Sequence, residues 1–269
     1  MSPPSSPNRT PGYTPNVFTG LALSFSRLLL FCETKRFMYF IFAHVCLFSL
    51  LPIFSNWETD NYFVQKHNIF NQYGVKLGWF WTLAVVGPFI YLTSCAHDVH
   101  QRRLGNDLGR LGIATVCWYS VTTIFHKVLE RTSFCHGALN VSRDKCRQSN
   151  GVWTPGLDIS GHIFLMVYSM LIIHEEAKSF KCWNQLSKHN AYEGASGKAV
   201  FAERTKNTSY SFLALAVLLS VWLWQITISC IYYHIWYDKV FAAIIAIICW
   251  FTTYNGIYKN ISLTLLCQP

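Results

Sequence analysis

Residues 210–258 read YSFLALAVLLSVWLWQITISCIYYHIWYDKVFAAIIAIICWFTTYNGIY. Two apolar runs, 210–233 and 239–258, are separated only by a short polar island that begins at His234 and ends at Asp238. A helix needs roughly 20 predominantly apolar residues to cross a bilayer, and each run is about that long. This stretch therefore predicts two membrane-spanning helices whose adjoining ends lie on the same side of a membrane.

The rest of the chain has the same character. Of its 269 residues, 52% are hydrophobic and 13% are charged, whereas soluble domains carry about 25% charged residues. Four further apolar runs lie at about 37–55, 77–96, 108–126 and 159–175. We therefore predict an all-α, polytopic membrane helix bundle, with six transmembrane helices forming one catalytic domain over residues 37–260.

The ends of the chain differ from this domain. Residues 1–16 are rich in Pro and Ser and predict a disordered cytosolic tail, and residues 261–269 predict a second cytosolic tail. Residues 17–36 predict an amphipathic helix along the membrane interface, although a seventh crossing is the alternative. Lys and Arg are in excess on the side that holds both termini, which predicts a cytosolic location for them. The net charge of +9 mostly reflects this excess beside anionic lipid, so no nucleic-acid partner is expected.

The polar loop between the third and fourth predicted helices falls on the opposite, lumenal side. It contains two cysteines, Cys135 and Cys146, and the sequence Asn140-Val141-Ser142. Disulfides persist in oxidising compartments, and Asn-X-Ser is a glycosylation signal in the secretory pathway. We therefore predict a Cys135–Cys146 bridge and a glycan on Asn140.

A first candidate catalytic histidine, His162, begins the fourth predicted helix after Asp158-Ile159-Ser160-Gly161. Either Asp158 or Ser160 can cap this helix, and the free N–H groups at a helix N-terminus favour a phosphate oxyanion. Gly161 would let a substrate approach the backbone closely. The alternative is an interfacial histidine hydrogen-bonded to a neighbour.

A second candidate, His234, ends the fifth predicted helix on the same, lumenal side. Asp238 lies one helical turn further on and could hold the imidazole in one tautomer. An imidazole can attack phosphorus, and a second histidine can protonate the leaving oxygen and then activate water. The alternative is an ordinary aromatic belt, since Tyr232, Tyr233, Trp236 and Tyr237 surround His234.

The segments DISGHIFLMVYSMLIIHEE (158–176) and YYHIWYDKVF (232–241) together resemble the fat storage-inducing transmembrane (FIT) family, over about residues 37–260. That family is related to lipid phosphate phosphatases, whose motifs centre on SGH and on a His followed by an Asp. Ser160-Gly161-His162 matches the first motif, and His234 with Asp238 matches the second without its leading Ser-Arg pair. The resemblance implies His234 as nucleophile, His162 as general acid and Asp238 as the group that orients His234.

The phosphatases' Lys then Arg-Pro motif is absent, so the phosphate-binding cations stay open. We expect Ser160, Gly161 and Lys239 to contact substrate, although Lys239 could equally anchor the helix at the interface. The resemblance implies cleavage of the diphosphate of fatty acyl-coenzyme A in the endoplasmic reticulum, in support of lipid-droplet formation, with no metal or cofactor. The alternative function is non-catalytic binding of triacylglycerol or diacylglycerol, which would partition neutral lipid into droplets. A transporter is disfavoured because no mid-membrane charge or internal repeat is evident.

Overall fold

Almost every secondary-structure element is a helix in the computed structural model, which describes residues 15–54, 62, 65, 68–94, 100–136, 143–181, 183 and 195–258. The helices are α1 (Val17–Leu30), α2 (Thr34–Phe54), α3 (Gly78–Ser94), α4 (His100–Thr132), α5 (Arg143–Gln148), α6 (Gly161–Ala177), α7 (Ala195–Tyr232) and α8 (Trp236–Phe251). Two π-helical segments, Phe70–Val75 and Thr252–Ile257, precede α3 and extend α8. The predicted tails and Asn140 fall outside the described residues, apart from Pro15 and Asn16.

Within the part of the chain that the structure describes, four helical segments are long and apolar enough to cross a membrane: Thr34–Phe54, Leu104–Thr132, Ala202–Tyr232 and Trp236–Ile257. Many of their large apolar side chains are exposed, among them Leu47, Val116, Val217 and Ile248. Exposed apolar surface of this extent is typical of helices that face lipid. The prediction of an all-α, polytopic membrane bundle is confirmed, whereas the count of six crossings stays a prediction because α3 and α6 have 17 residues each.

Helix α6 is the centre of the bundle. Every residue from Ile163 to Ala177 is buried, and α6 packs against α2, α3, α4, α7 and α8. A helix that is apolar and buried on every side belongs to the interior of a large bundle. His162, at its first turn, is therefore held by a helix that is packed on all sides.

Six of the helices (all but α1 and α5) correspond to the six predicted apolar runs, but two of these helices are much longer than the runs. Helix α4 covers His100–Thr132 where 108–126 was expected, and α7 covers Ala195–Tyr232 where 210–233 was expected. The apolar run marks only the part of a helix that lies in hydrocarbon, and intrahelical hydrogen bonds continue into polar sequence on either side. Helix α1, predicted to lie along the interface, packs against α7 through a face that includes Leu23 and Leu30.

A buried ionic network holds the end of α6 opposite His162. The Arg110 guanidinium donates to both carboxylate oxygens of Glu176, at 2.9 and 2.8 Å, and to Asp107 at 2.6 Å. The hydroxyl of Tyr254 donates to Glu176 at 2.8 Å, and that of Ser94 donates to Asp107 at 2.5 Å. These bonds join α3, α4, α6 and the C-terminal extension of α8.

A small lobe lies between α4 and α6, at the end of the bundle that carries His162. It consists of β1 (Phe134–His136), α5 and β2 (Val152–Thr154), with the two strands antiparallel and Cys135 opposite Trp153. A disulfide joins Cys135 to Cys146, whose Cα atoms are 5.9 Å apart. A Cβ on Gly151 would lie 2.6 Å from the Cys135 sulfur, so only glycine leaves room for the bridge.

Candidate active site

The two polar islands of the sequence meet at one end of the bundle. The backbone N–H of Ser160 donates to the carbonyl oxygen of Asp238 at 3.5 Å, so the start of α6 lies beside the start of α8. The start of α3 is also close, because a Cβ on Gly78 would lie 2.6 Å from Leu165. The structure thus brings together three segments that are far apart in sequence, near residues 76–78, 158–162 and 234–239.

His162 occupies the first turn of α6. Ser160 is the N-cap, and its hydroxyl accepts a hydrogen bond from the Ile163 N–H at 3.4 Å. This bond and the one from the Ser160 N–H to Asp238 satisfy two of the four free N–H groups at the helix start, and they leave those of Gly161 and His162 available to an anion. His162 is half-buried, and a Cβ on Gly161 would meet no atom within 4 Å. The space beside Gly161 is therefore open to a ligand.

His234 lies in the short connection between α7 and α8, and its backbone is left-handed, with φ 55°. Residues other than glycine rarely adopt this conformation, and such strain clusters at functional sites. The imidazole is 22% exposed, and its Nδ1 lies 3.4 Å from Oδ2 of Asp158, whose side chain is 51% exposed. This distance is long for a hydrogen bond but within the range of an ion pair when the imidazole is protonated.

Asp238 and Lys239 lie in the first turn of α8 and are buried, with 3% and 2% exposure. Oδ1 of Asp238 has no hydrogen-bond partner among the described residues. The ammonium of Lys239 donates to the carbonyl oxygen of Cys230 near the end of α7. Asp238 is therefore in the site but does not make the contact with His234 that Asp158 makes, and phosphate binding by Lys239 stays a prediction.

Charged groups from all three segments interact at this end. The His162 ring lies within the electrostatic influence of His234, Lys76 and Asp158, and Asp238 within that of His234 and Asp158. Sequence reasoning missed Lys76 as a member of the site and treated Asp158 only as a cap. Asp158 could have been found by its place in the DISGH segment, but nothing in the sequence associates Lys76 with His162.

Tyr233 borders the site beside His234. Burial raises the pKa of its phenol, and a side-chain hydrogen bond with Asn68 acts in the opposite direction. Asn68 is itself buried and accepts a hydrogen bond from the backbone N–H of Asn71. This contact ties the segment before α3 to the connection that carries His234, and so to the backbone of the site.

Taken together, the site offers two imidazoles, two carboxylates, the exposed ammonium group of Lys76 and the buried one of Lys239 around an open helix N-terminus. One imidazole is held near a carboxylate through Nδ1, which leaves Nε2 free to act as a nucleophile or base. No cluster of three His, Cys, Asp or Glu side chains suited to a metal ion occurs in the described part of the chain. The arrangement is suited to nucleophilic attack on an anionic group, followed by proton transfer.

Known proteins similar to this chain share most of its length. Residues 59–139 and 129–254 match the family described as "Fat storage-inducing transmembrane protein". A Caenorhabditis elegans protein named acyl-coenzyme A diphosphatase FITM2 is 42% identical over 95% of this chain and 89% of its own length. Proteins of the same name from Drosophila melanogaster and Xenopus tropicalis are each 30% identical over 74% of this chain, covering 52% and 74% of their own lengths.

No solved structure matches the chain. The matched segments include both polar islands, from Asp158 to His162 and from His234 to Asp238, and the relatives extend the similarity over three quarters of the chain or nearly all of it. The chain therefore belongs to the fat storage-inducing transmembrane family.

Proposed function

We propose that this protein is a membrane-embedded hydrolase that cleaves the diphosphate of fatty acyl-coenzyme A. The products are an acyl 4′-phosphopantetheine and adenosine 3′,5′-bisphosphate. The observation that carries the proposal is the convergence of His162, His234 and Asp158 at one end of the bundle, with His234 Nδ1 3.4 Å from Asp158. The relatives' shared name, acyl-coenzyme A diphosphatase, indicates the substrate.

In the proposed reaction, Nε2 of His234 attacks one phosphorus of the diphosphate. An N–P bond forms, the bridging P–O bond breaks, and the leaving phosphate oxygen takes a proton from His162. Water then attacks the phosphorus, the N–P bond breaks, and His162 takes the proton that water releases. His162 thus acts first as acid and then as base, His234 acts as nucleophile and then as leaving group, and water is the one co-reactant that the reaction needs.

Positive charge near His162 supports the choice of a diphosphate substrate. Lys76 lies in the turn that precedes α3, its ammonium donates to Gln72 at 2.8 Å in an exposed position, and its charge acts on His162. An exposed ammonium can exchange this neutral partner for a phosphate oxygen, with which it forms a stronger, charge-assisted bond. We assign Lys76 and the N-terminus of α6 as the phosphate-binding groups of the site.

We further propose that the protein resides in the endoplasmic reticulum with this site facing the lumen, and that hydrolysis supports lipid-droplet formation. The Cys135–Cys146 disulfide lies at the same end of the bundle as His162, because Gly156 and Leu157 of the segment before α6 bond to the end of α4. Disulfides persist in oxidising compartments such as this lumen. The acyl chain can stay among the helices or in lipid while its headgroup enters the site.

The second candidate function is binding of triacylglycerol or diacylglycerol without hydrolysis. An apolar groove of about 300 Å³ between α1 and α2 favours it, since this space suits part of an acyl chain. The groove is lined by Phe25, Leu28, Leu29, Cys32, Arg36, Phe37 and Phe40. It lies at the opposite end of the bundle from His162, so lipid binding there does not depend on the histidines.

Assay of the purified protein on oleoyl-coenzyme A, with products identified by mass spectrometry, tests the proposal. His162→Ala and His234→Ala should each abolish product formation, since removal of one member of a catalytic unit costs several powers of ten in rate. His136→Ala is the matched control, because His136 is exposed at the same end of the molecule. If the two active-site variants keep wild-type rates, hydrolysis by this site is refuted and lipid binding becomes the better function.

A further inference from the structure

We propose that Asp158 is a positioning residue for His234, in the role that sequence comparison with lipid phosphate phosphatases gives to Asp238. This inference rests on the proposed function and goes one step beyond it. It starts from the close approach of Asp158 Oδ2 to His234 Nδ1, at 3.4 Å. No other carboxylate in the described part of the chain forms such a contact with His234.

The local backbone explains why Asp238 does not make this contact. Side chains four residues apart share a face only when both belong to one continuous helix. Helix α7 ends at Tyr232, α8 begins at Trp236, and His234 lies between them with a φ of 55°. His234 and Asp238 therefore do not have a helical spacing, and the His-x-x-x-Asp pattern does not by itself direct the carboxylate to the imidazole.

The neighbouring backbone explains why Asp158 does make it. The hydrogen bond from the Ser160 N–H to the Asp238 carbonyl aligns the segment before α6 with the start of α8. Asp158 lies two residues before Ser160 and His234 lies four residues before Asp238, so both residues lie just outside the helix starts that this bond joins. Asp158 lies outside α6, so its side chain is free to reach the connection that carries His234.

The chemistry of the proposed reaction requires a group at this position. Attack by Nε2 needs the proton on Nδ1, and the ring gains positive charge when the N–P bond forms. A carboxylate beside Nδ1 fixes this tautomer and stabilises the cation, as in other histidine-dependent enzymes. Asp158 is half-exposed and Asp238 is buried with an unpartnered oxygen, so the two carboxylates have different environments. We assign orientation of the nucleophile to Asp158.

Steady-state kinetics on oleoyl-coenzyme A test the assignment. Asp158→Asn keeps the shape of the side chain, but its amide N–H can donate to Nδ1 and so favours the tautomer of His234 with the proton on Nε2. We therefore expect kcat to fall on the order of 10²-fold or more, while KM changes less than about threefold. Asp158→Glu keeps the charge, so its kcat should be at least about tenfold higher than that of Asp158→Asn. Asp144→Asn is the matched control, since Asp144 is an exposed carboxylate in α5 of the neighbouring lobe.

A second measurement does not depend on activity. In protein labelled with 15N-histidine, the His234 resonances, assigned by their loss in His234→Gln, should report a proton on Nδ1 in the wild type and a mixture of tautomers in Asp158→Asn. An unchanged tautomer with kcat within about threefold of wild type overturns the proposal. If the wild type itself does not cleave acyl-coenzyme A, the proposed function fails, whereas the tautomer of His234 still decides the role of Asp158.

Discussion

Removal of either partner from the buried Arg110–Glu176 pair should strongly destabilise the bundle. The side chains are 3% and 1% exposed, and three hydrogen bonds reach Glu176, two from Arg110 and one from Tyr254. Loss of one member of a buried ion pair leaves an uncompensated charge and costs about 3–5 kcal/mol. In a domain of this size each kcal/mol lowers Tm by roughly 2–4 °C, so Glu176→Leu should lower Tm by about 6–20 °C.

The structure also predicts which of the two single variants, Glu176→Leu or Arg110→Met, lowers the stability of the bundle more. After Glu176→Leu, Arg110 keeps its bond to Asp107, whereas Arg110→Met leaves two buried carboxylates without their cation. Arg110→Met should therefore be at least as destabilising as Glu176→Leu. Thermal unfolding of the detergent-purified protein, followed by intrinsic tryptophan fluorescence, measures both.

An exposed ion pair supplies the matched control. Arg36 and Glu33 lie 3.2 Å apart, but their side chains are 83% and 57% exposed. Exposed pairs contribute about 0–1 kcal/mol, so Glu33→Gln should lower Tm by no more than about 4 °C. If Arg110→Met shifts Tm as little as Glu33→Gln does, the network does not stabilise the bundle and the reasoning is refuted.

Two further predictions concern the end that carries the site. Lys76→Met should raise KM for oleoyl-coenzyme A about tenfold or more while kcat changes less, because an exposed cation contributes mainly to binding of the phosphates. Lys127→Met is the control, since Lys127 lies on an exposed part of α4. An equal rise in KM for this variant would mean that only general surface charge matters. Cys135→Ser should lower the free energy of unfolding of the lobe by about 3 kcal/mol, since the bridge spans 11 residues of sequence. Limited proteolysis of the lobe checks this value, and equal cleavage rates in wild type and variant would contradict it.

Apolar run length was sufficient to predict the helices and the membrane class, because a crossing must be apolar over a fixed length. The same information could not give the ends of α4 and α7, whose polar extensions leave the hydrocarbon. It also could not predict the partner of Glu176. That residue follows an apolar run, and it is buried because Arg110 from another helix neutralises it.

The site likewise combines residues that the sequence predicts with contacts that it does not. His162 and His234 could be found as polar residues at the ends of apolar runs, and the count of crossings predicts that they share a side. The contact between His234 and Asp158 could not be predicted, because it depends on a left-handed residue that interrupts the helix between Tyr232 and Trp236. A prediction from sequence spacing assumes a continuous helix, and the left-handed backbone at His234 breaks that continuity. Lys76 depends on the packing of α3 against α6, which no local pattern encodes.

Because α6 is buried in the bundle, its length does not have to match the thickness of the membrane, and neither does the depth of the site at its end. A helix of 17 residues is about 26 Å long, which is shorter than the roughly 30 Å of a hydrocarbon core. Lipid-facing helices must match that thickness or tilt, but α6 is enclosed by protein and is under no such requirement. Its ends can therefore lie below the headgroup plane that the longer outer helices define. If His162 acts as proposed, the distance that a substrate headgroup descends to reach it depends on the acyl length of the host lipids, so hydrophobic mismatch becomes a variable of the proposed reaction.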